Sequence, residues 1–290
     1  MQYCRRDGKL NKGNEVQDRV LSFIYSHALC RLLIRPLIIP KVSEIMGHFM
    51  DSRLSAFLVK PAVKLHSIDL SQYRNSSYNS YNDFFTRQIR PELRPISVDK
   101  SVFISPCDAK LTVYPIDYDG TVSIKNTEYT FMSLFRDRRL MDEFRGGSLL
   151  VFRLTVDDYH RYCYVDSGTK TGNRIIKGVL HTVNPAANDA VPIYKENTRE
   201  YSMLHSDNFG KILMMEVGAM MVGRIVNYHG RGHVKRGQEK GRFEFGGSTV
   251  VLCVQRNKVR FDQDIIENTS NGIETIVKMG ERIGKAESAF

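Results

Sequence analysis

Residues 243–253, FEFGGSTVVLC, place two glycines inside a run that otherwise favours a β-strand. Glycine is disfavoured within strands because it loses more chain entropy than other residues and has no side chain to pack. The apolar residues on both sides therefore predict two strands, and Gly246-Gly247 predicts a tight turn between them. Ser248 follows the turn directly, so the sequence places a hydroxyl group where two strands meet.

Further strand-like runs surround this stretch from about residue 100 onwards. GSLLVFRLTV (147–156) and GKILMMEVGAMMVGRIV (210–226) are β-type segments, and Asp119-Gly120 is typical of a hairpin turn. Before them, DRVLSFIYSHALCRLLIRPLIIP (18–40) has the apolar spacing of an amphipathic helix. The sequence therefore predicts an α+β fold, in which an N-terminal helical region, residues 1–80, packs on a β-rich catalytic domain, residues 81–290.

The first quarter of the chain is also basic. Residues 1–60 contain ten Lys or Arg and five Asp or Glu. The segment is too charged and too interrupted by proline to span a bilayer, which needs about 20 mostly apolar residues. Two interpretations follow from the periodicity alone: a basic amphipathic segment lying on an anionic membrane surface, or helices that pack on their own domain.

Composition excludes several classes of protein. The 290-residue chain has a net charge of +10, which favours an anionic partner. It has no basic tail and no zinc-finger pattern, so we expect no nucleic acid partner. Its five cysteines form no CxxC pair, which indicates a reducing compartment. We expect no metal, because glycines make a helix unlikely around His229 and His233, the one pair with ligand spacing. The first 15 residues lack the apolar core of a secretion signal.

Three stretches concentrate reactive side chains. Asp108 lies in SPCDAK, His160 in TVDDYHRYC, and Ser248 after the glycine pair. Aspartate, histidine and serine are the residues that orient a base, remove a proton and attack in activated-serine sites. Each one taken singly also fits an ordinary turn or strand-end residue, and Ser248 lacks the GxSxG sequence of α/β-hydrolases.

The order of the motifs is more specific than any one of them. The chain contains, in succession, YNDFFTRQIRPELRPI (81–96), SPCDAKL (105–111), FRLTVDDYHRYCYVDSG (152–168), HTVNP (181–185), KGRFEFGGSTVV (240–251) and ETIVKMGERIG (274–284). This succession closely resembles the phosphatidylserine decarboxylases, which depend on a pyruvoyl group and make phosphatidylethanolamine. The resemblance covers roughly residues 80–285.

The resemblance implies a chemical reason for the glycine pair. In this family the serine at position 248 would attack the carbonyl of Gly247, and elimination and hydrolysis would leave a covalent pyruvoyl cofactor on residue 248. The products would be chains 1–247 and 248–290, the shorter one supplying the catalytic strand. The pyruvoyl group would form a Schiff base with phosphatidylserine and act as an electron sink while CO2 leaves. Glycines, lacking a Cβ, let a hydroxyl approach a backbone carbonyl closely.

Individual roles transfer by position. The resemblance makes Asp108 the charge-relay aspartate, Ser248 the pyruvoyl precursor, and His160 the first histidine of the DYHRxH motif, which assists decarboxylation. The chain departs from that motif at Cys163, where relatives have the histidine assigned to activate the serine. Either His160 serves both steps or His181 in HTVNP acts as the base; of the two we favour His160.

The implied substrate is a diacyl phospholipid, so the resemblance also implies a peripheral enzyme on the cytoplasmic side of the cell membrane. A homodimer is an expectation of the family. Two rivals stay open: a serine hydrolase with a lasting Asp108-His160-Ser248 triad, and a cleavage-dead relative that only binds lipid. A further alternative keeps the chemistry but acts on serine attached to a different lipid backbone.

Overall fold

Helical segments in the first quarter and strands in the remainder are both present in the computed structural model, which describes residues 2–13, 15–124, 127–188, 191–219, 224–245 and 248–287. The α-helices are α1 Glu15–Ser26, α2 Ala28–Ile34, α3 Pro40–Asp51, α4 Val59–Leu65, α5 Tyr81–Phe85, α6 Phe131–Phe135, α7 Arg139–Phe144, α8 Pro185–Asn188, α9 Ile193–Glu196 and α10 Gln263–Ser270. Short 3-10 helices cover Arg35–Ile38, Arg53–Leu58, Leu70–Gln72 and Pro91–Leu93.

The strands are β1 Gln2–Arg5, β2 Leu10–Lys12, β3 Val102–Ile104, β4 Ala109–Pro115, β5 Thr121–Ile124, β6 Thr127–Thr130, β7 Ser148–Leu154, β8 Arg161–Cys163, β9 Gly168–Lys170, β10 Arg174–Ile176, β11 Arg199–Ser206, β12 Gly210–Val217, β13 Arg224–Asn227, β14 Gly232–Val234, β15 Glu239–Glu244, β16 Ser248–Val254, β17 Val259–Phe261, β18 Glu274–Val277 and β19 Arg282–Ala286. The fold is therefore α+β, as the sequence predicts.

Eleven of the described strands form one large sheet in the order β14-β9-β11-β12-β16-β7-β4-β18-β1-β2, with β10 attached to β11. Every residue of β16 is buried, which explains its nearly continuous apolar sequence: both faces of the strand are covered. It pairs antiparallel with β12 on one side and β7 on the other. The strand that begins at Ser248 is thus an inner strand of the main sheet.

The start of the chain differs from the helical expectation. β1 and β2 form a hairpin, and β1 joins the main sheet by pairing in parallel with β18 near the C-terminal end. Arg6, in the hairpin, adds ion pairs to Asp262 at 2.8 Å and Asp264 at 2.6 Å. The pairing partner is about 270 residues away along the chain, so local periodicity gave no signal for this strand.

The predicted amphipathic segment 18–40 is helical but broken. His27 has an extended backbone (φ −97°, ψ 125°) and separates α1 from α2, and Pro36 and Pro40 then begin new helical turns. No single helix among the described residues is long and apolar enough to cross a membrane. Arg19–Ser26 and Ala28–Ile38 meet that length and composition only together, and they are bent by 99°.

The N-terminal helices pack on the β-rich part through a small apolar cluster. Its buried members come from α3, α4 and α5, and Phe245 packs against it from the end of β15. A three-stranded sheet, β13-β15-β8, lies beside this cluster. His160 immediately precedes β8, and its ring contacts Phe85 of α5, so the histidine lies against this cluster.

Candidate active site

Ser248 is the first residue of the inner strand β16 and is completely buried. Its register partner across the sheet is Leu154, the last residue of β7. The chain turns back directly after Leu154 and reaches His160 six residues later. The strand register therefore brings His160 beside Ser248, which lies 88 residues further along the chain.

The side chains of His160 and Ser248 face each other. His160 Nδ1 lies 3.3 Å from Ser248 Oγ, and His160 Nε2 lies 2.9 Å from the carbonyl oxygen of Thr155. A carbonyl only accepts, so Nε2 must carry the ring proton. The neutral ring then has its lone pair on Nδ1, directed at the serine hydroxyl. This is the tautomer that a general base needs.

The surroundings of His160 keep the ring neutral. Burial, followed by the nearby positive charge of Arg87, lowers the pKa of His160 to about 3. Phe85 covers the ring, with centroids 4.1 Å apart, and Phe85 in turn meets Phe245 at 6.4 Å. At neutral pH the histidine is therefore an unprotonated base in an apolar environment.

The carbonyl that fixes this tautomer belongs to a braced turn, residues 155–158. Asp158 accepts the backbone N–H of Thr155 at 2.7 Å, and Lys110 from β4 donates to Asp158 at 2.7 Å and to Thr155 Oγ1 at 2.5 Å. Arg87 donates to the Asp158 carbonyl from the other side at 3.1 Å. Burial raises the pKa of Asp158, and the Lys110 ammonium opposes that shift.

Asp108 lies away from the Ser248–His160 pair. Arg94 donates two hydrogen bonds to its carboxylate, and the one from Nε to Oδ1 is 2.8 Å long. The backbone N–H of Met279 donates to the same Oδ1 at 2.8 Å. Within the described ranges, no contact joins Asp108 to His160, and the position a relay carboxylate would take at Nε2 is held by Thr155. The Asp108-His160-Ser248 triad of the hydrolase alternative is therefore not assembled.

Cys163, which replaces the second motif histidine, is fully buried in β8. Its backbone N–H donates to Pro106 at 2.8 Å, and burial raises the pKa of the thiol to about 12. A thiol that stays protonated at neutral pH is a poor base. Cys163 borders a cavity of about 310 Å³ that is also lined by Arg94, the hydrogen-bond partner of Asp108.

His181, the alternative base, lies beside the N-terminal helices. Its ring meets Tyr25 at 5.8 Å, its Nε2 lies 3.3 Å from Glu196, and its backbone is held by the Asn197 side chain. Burial lowers the pKa of His181, and Glu196 opposes that shift. In the part of the chain that the structure covers, no contact links His181 to Ser248, whereas His160 makes one.

Two expectations concern residues or sites outside this pair. Gly247, the residue expected before the cleaved bond, and Gly246 lie outside the described residues, so the predicted glycine turn is untested. Among the residues that are described, no group of three His, Cys, Asp or Glu side chains could hold a metal ion. His229 lies 2.9 Å from the Gln238 amide.

The fold and the site together define a class: an α+β protein with a serine that is buried at the start of an inner strand and faces a neutral histidine. The family model described as phosphatidylserine decarboxylase matches residues 81–285. The chain belongs to the phosphatidylserine decarboxylase family.

Curated relatives extend the match over nearly the whole chain. "Phosphatidylserine decarboxylase proenzyme 2" of Clostridium acetobutylicum is 45% identical over 266 residues, 91% of each chain. The phosphatidylserine decarboxylase proenzymes of Clostridium tetani and of Clostridium botulinum strain Langeland are 42% and 39% identical. The alignment with the Clostridium tetani protein covers 84% of each chain. The alignment with the Clostridium botulinum protein covers 97% of this chain and 98% of the relative.

Sequence reasoning missed the residues that hold the turn before His160. Thr155, Asp158 and Lys110 all lie within the quoted motifs, Asp158 two residues before His160 and Lys110 two after Asp108. A charged residue inside a strand-like run, as Lys110 is in β4, was the available signal, since an interior lysine needs a buried partner.

Proposed function

We propose that this chain is a phosphatidylserine decarboxylase proenzyme that cleaves itself between Gly247 and Ser248. The observation that carries the proposal is the 3.3 Å contact between Ser248 Oγ and the unprotonated Nδ1 of His160. It supports His160, rather than His181 or Cys163, as the base for cleavage. Family membership supports the decarboxylase activity.

Cleavage follows from the groups at residue 248. His160 Nδ1 accepts the hydroxyl proton while Ser248 Oγ bonds to the Gly247 carbonyl carbon. The Gly247–Ser248 C–N bond then breaks, and the Ser248 nitrogen takes a proton, which leaves an ester. Loss of the Ser248 α-proton expels the Gly247 carboxylate and leaves a dehydroalanine. Water replaces its nitrogen, ammonia departs, and residue 248 becomes a pyruvoyl group.

The residues present fit that group. Position 248 holds serine, its side chain is completely buried, and the nearby rings of Phe85 and Phe245 keep the surroundings apolar. A pyruvoyl group supplies a carbonyl that withdraws electrons from the amine-bearing carbon of the substrate so that CO2 can leave. We assign to His160 Nδ1 a proton relay: the unprotonated nitrogen accepts a proton from the ammonium group of the substrate and returns it to the carbon that CO2 leaves.

For Asp108 we propose a supporting role in the uncleaved chain. It anchors Arg94 and the backbone at Met279, which follows β18. Arg94 belongs to the 81–96 motif, and Met279 to the 274–284 motif. Asp108 therefore ties together three motifs, two from the long chain and one from the short chain that cleavage would release.

The cleaved chains should stay together. β16 lies between β12 and β7, β18 lies between β4 and β1, and β19 pairs with β3. Three of the four described strands of chain 248–290 thus pair with strands of chain 1–247, and the fourth, β17, pairs with β19. The family expectation of a homodimer stays a prediction.

A membrane surface is the partner that the N-terminal region fits. Twelve large apolar side chains between residues 20 and 65 are exposed: Val20, Phe23, Leu29, Leu32, Leu33, Leu37, Ile39, Ile45, Phe49, Leu54, Phe57 and Leu65. Apolar surface of this extent is typical of an interaction site. With the basic residues of the same segment, it supports peripheral binding to an anionic, cytoplasmic membrane face.

The test is the intact mass of the freshly purified, denatured protein. We expect two chains, the smaller one lighter by one ammonia than a fragment that begins with serine, and a single uncut chain for Ser248→Ala. The native two-chain protein should convert phosphatidylserine in vesicles to phosphatidylethanolamine. An uncut wild-type chain would overturn the proposal. Labelling of Ser248 by a fluorophosphonate would then indicate the hydrolase, and vesicle binding alone the lipid-binding relative.

A further inference from the structure

A second polar site lies beside the apolar cluster. A cavity of about 330 Å³, here called the α3 cavity, is lined by α3, by Asn82 of α5, by Arg224 and Glu244 of β13 and β15, and by Phe245. Its volume is at the lower end of the roughly 300–1,000 Å³ in which small-molecule sites fall. The cavity is large enough for the headgroup of a phospholipid.

Three buried polar atoms on its lining have no hydrogen-bond partner: Ser43 Oγ, Asn82 Oδ1 and Glu244 Oε2. Glu244 Oε2 still has an ion pair with Arg224, whereas Ser43 Oγ and Asn82 Oδ1 are unpaired although their residues are only 4% and 8% exposed. The Asn82 amide is oriented by its other end, since Nδ2 donates to Asp51 Oδ1 at 2.6 Å. Rotating the amide would set oxygen against a carboxylate, so Oδ1 stays free to accept. Unpaired buried polar groups are costly, which points to a missing ligand.

The charges of the lining select the kind of ligand. Three carboxylates line the cavity, those of Glu44, Asp51 and Glu244, together with the guanidinium of Arg224 and the imidazole of His48. Arg224 lies 3.2 Å from Glu244 and 3.7 Å from Asp51, and Arg242, outside the lining, lies 2.7 Å from Glu244, so two guanidinium groups neutralise part of that charge. What remains is a set of acceptors with a net negative charge. Such a set fits a donor cation, and above all a primary ammonium group with three N–H donors.

Helix α3 has an apolar side in the core, a side on the cavity and a side in solvent. Met50 is buried in the apolar cluster. Ser43, Gly47 and Asp51 recur every four residues and line the cavity, whereas Ile45 and Phe49 are exposed. At 3.6 residues per turn the two exposed side chains lie roughly 160° around the helix from the centre of this row. The cavity and an exposed apolar surface therefore lie on opposite sides of one helix.

The α3 cavity is close to the reacting residue. Phe245, on its lining, is three residues before Ser248, and a span of three residues is at most about 11 Å. The Phe245 ring also meets Phe85, whose ring covers His160. The cavity and the Ser248–His160 pair therefore share an aromatic wall, within the length of one phospholipid headgroup.

We propose that the α3 cavity binds the primary ammonium group of an aminophospholipid headgroup, with Ser43 Oγ, Asn82 Oδ1 and the flanking carboxylates as acceptors. The inference rests on the proposed function and specifies how its substrate is recognised. The cavity holds the amine next to residue 248 before it reacts. It excludes headgroups without N–H donors.

The test uses the uncut Ser248→Ala chain and soluble headgroups, which removes membrane binding from the measurement. By calorimetry, glycerophosphoserine and glycerophosphoethanolamine should bind, and glycerophosphocholine, whose ammonium has no N–H, should bind at least tenfold more weakly. Adding Ser43→Ala should weaken the first two roughly tenfold, the effect of one hydrogen bond to a charged group. Because Ser43 Oγ has no partner in the free protein, this change should not lower the melting temperature.

Ser55→Ala is the matched control. Ser55 Oγ donates to Met50 at 2.9 Å and accepts from the Tyr81 N–H at 2.8 Å, so its loss should lower the melting temperature and leave headgroup binding unchanged. Glu44→Gln, at an exposed position on the cavity, is a second variant that keeps the fold and should also weaken ammonium binding.

Equal binding of all three headgroups, or binding unaffected by both Ser43→Ala and Glu44→Gln, would overturn the inference. In the self-cleaving chain, Ser43→Ala should raise the KM for phosphatidylserine and leave the cleavage mass pattern unchanged. A wild-type chain that does not cleave would refute the proposed function, whereas a cleaved, active chain indifferent to Ser43→Ala would refute only the headgroup site.

Discussion

At the scale of single residues, the orientation of one imidazole ring determines which of its nitrogens faces Ser248. His160 donates from Nε2 to Thr155 and is left with a lone pair on Nδ1, 3.3 Å from the Ser248 hydroxyl. Because the buried ring is neutral, its Nδ1 lone pair is available to accept a proton without first losing one. The same burial disfavours the charged, protonated ring, so His160 can carry that extra proton only briefly.

The pH dependence of self-cleavage should reflect this burial. Because the pKa of His160 is lowered to about 3, the base is already unprotonated throughout the neutral range, and the cleavage rate should be flat from pH 5 to pH 8. The measurement is the rate of chain separation on denaturing gels after synthesis in a cell-free system at each pH. A rate that fell tenfold below an inflection near pH 6.5 would instead indicate a solvent-exposed histidine.

The same shift predicts how stability depends on pH. The unfolded histidine binds a proton near pH 6.5, whereas the folded one does so only near pH 3, so the unfolded state binds more protons in this window. The contribution of His160 to the free energy of unfolding is therefore fully present above pH 6.5 and is lost as the pH falls towards 3. Denaturant unfolding of the uncut Ser248→Ala chain measures this loss.

At the scale of elements, the turn 155–158 connects strand register to the orientation of His160. It follows the β7 residue that pairs with Ser248, and its Thr155 carbonyl orients His160. Lys110 of β4 donates to the Thr155 hydroxyl, and Asp158 accepts the Thr155 N–H, so both fix the residue that carries this carbonyl. None of the bracing groups contacts Ser248 among the described residues, so we regard them as positioning residues.

Asp158→Asn should slow self-cleavage at least tenfold. The variant weakens the charged hydrogen bond to Lys110 and leaves that buried ammonium without its carboxylate, so the turn loses its fixed geometry. The amide oxygen still accepts from the Thr155 N–H, which limits the loss of stability. The readout is the cleavage rate by mass spectrometry, together with the melting temperature.

The matched control is Asp166→Asn. Asp166 is also buried and also accepts several hydrogen bonds, including those from Asn208 and Arg236, but it lies outside the turn. It should lower the melting temperature and leave the cleavage rate of the folded protein unchanged. Equal slowing by both variants would mean that Asp158 acts only through global stability.

At the scale of the whole molecule, the exposed apolar side chains are concentrated in residues 20–65. Leu29 and Leu33, one turn apart on α2, are each 70% exposed. The double variant Leu29→Glu and Leu33→Glu should weaken binding to phosphatidylserine-containing vesicles by at least tenfold, since burying one leucine contributes about 1.5–3 kcal/mol. Vesicle co-sedimentation of the uncut Ser248→Ala chain is the measurement.

Ile175→Glu serves as the control for this surface. Ile175 is 65% exposed but lies on β10, far along the chain from the helical region. It should bind vesicles like the parent chain, and none of these variants should alter self-cleavage. Unchanged binding of the α2 variant would contradict the membrane-facing role of the N-terminal region.

The sequence correctly predicted the α+β class and the strand that begins at Ser248, because both depend on patterns within a few residues. It also placed His160 and Ser248 in one site through the ordered motifs, although it left His181 open as the base. It did not predict the β1–β2 hairpin, whose partner β18 is distant along the chain. The sequence assigned Asp108 a charge-relay role beside His160. In the structure its carboxylate accepts hydrogen bonds from Arg94 and from the backbone N–H of Met279.

Residue types and the order of motifs are properties of the linear chain, so they were enough to identify the reactive groups and the family that the chain resembles. Which of those groups meet depends on how the chain packs. The Ser248–His160 contact depends on the register of β16 against β7, and the tautomer of the ring depends on a carbonyl in a turn braced by Lys110. Hydrogen-bond partners and the loss of water on burial arise only when distant segments pack together, and they set the pKa of His160.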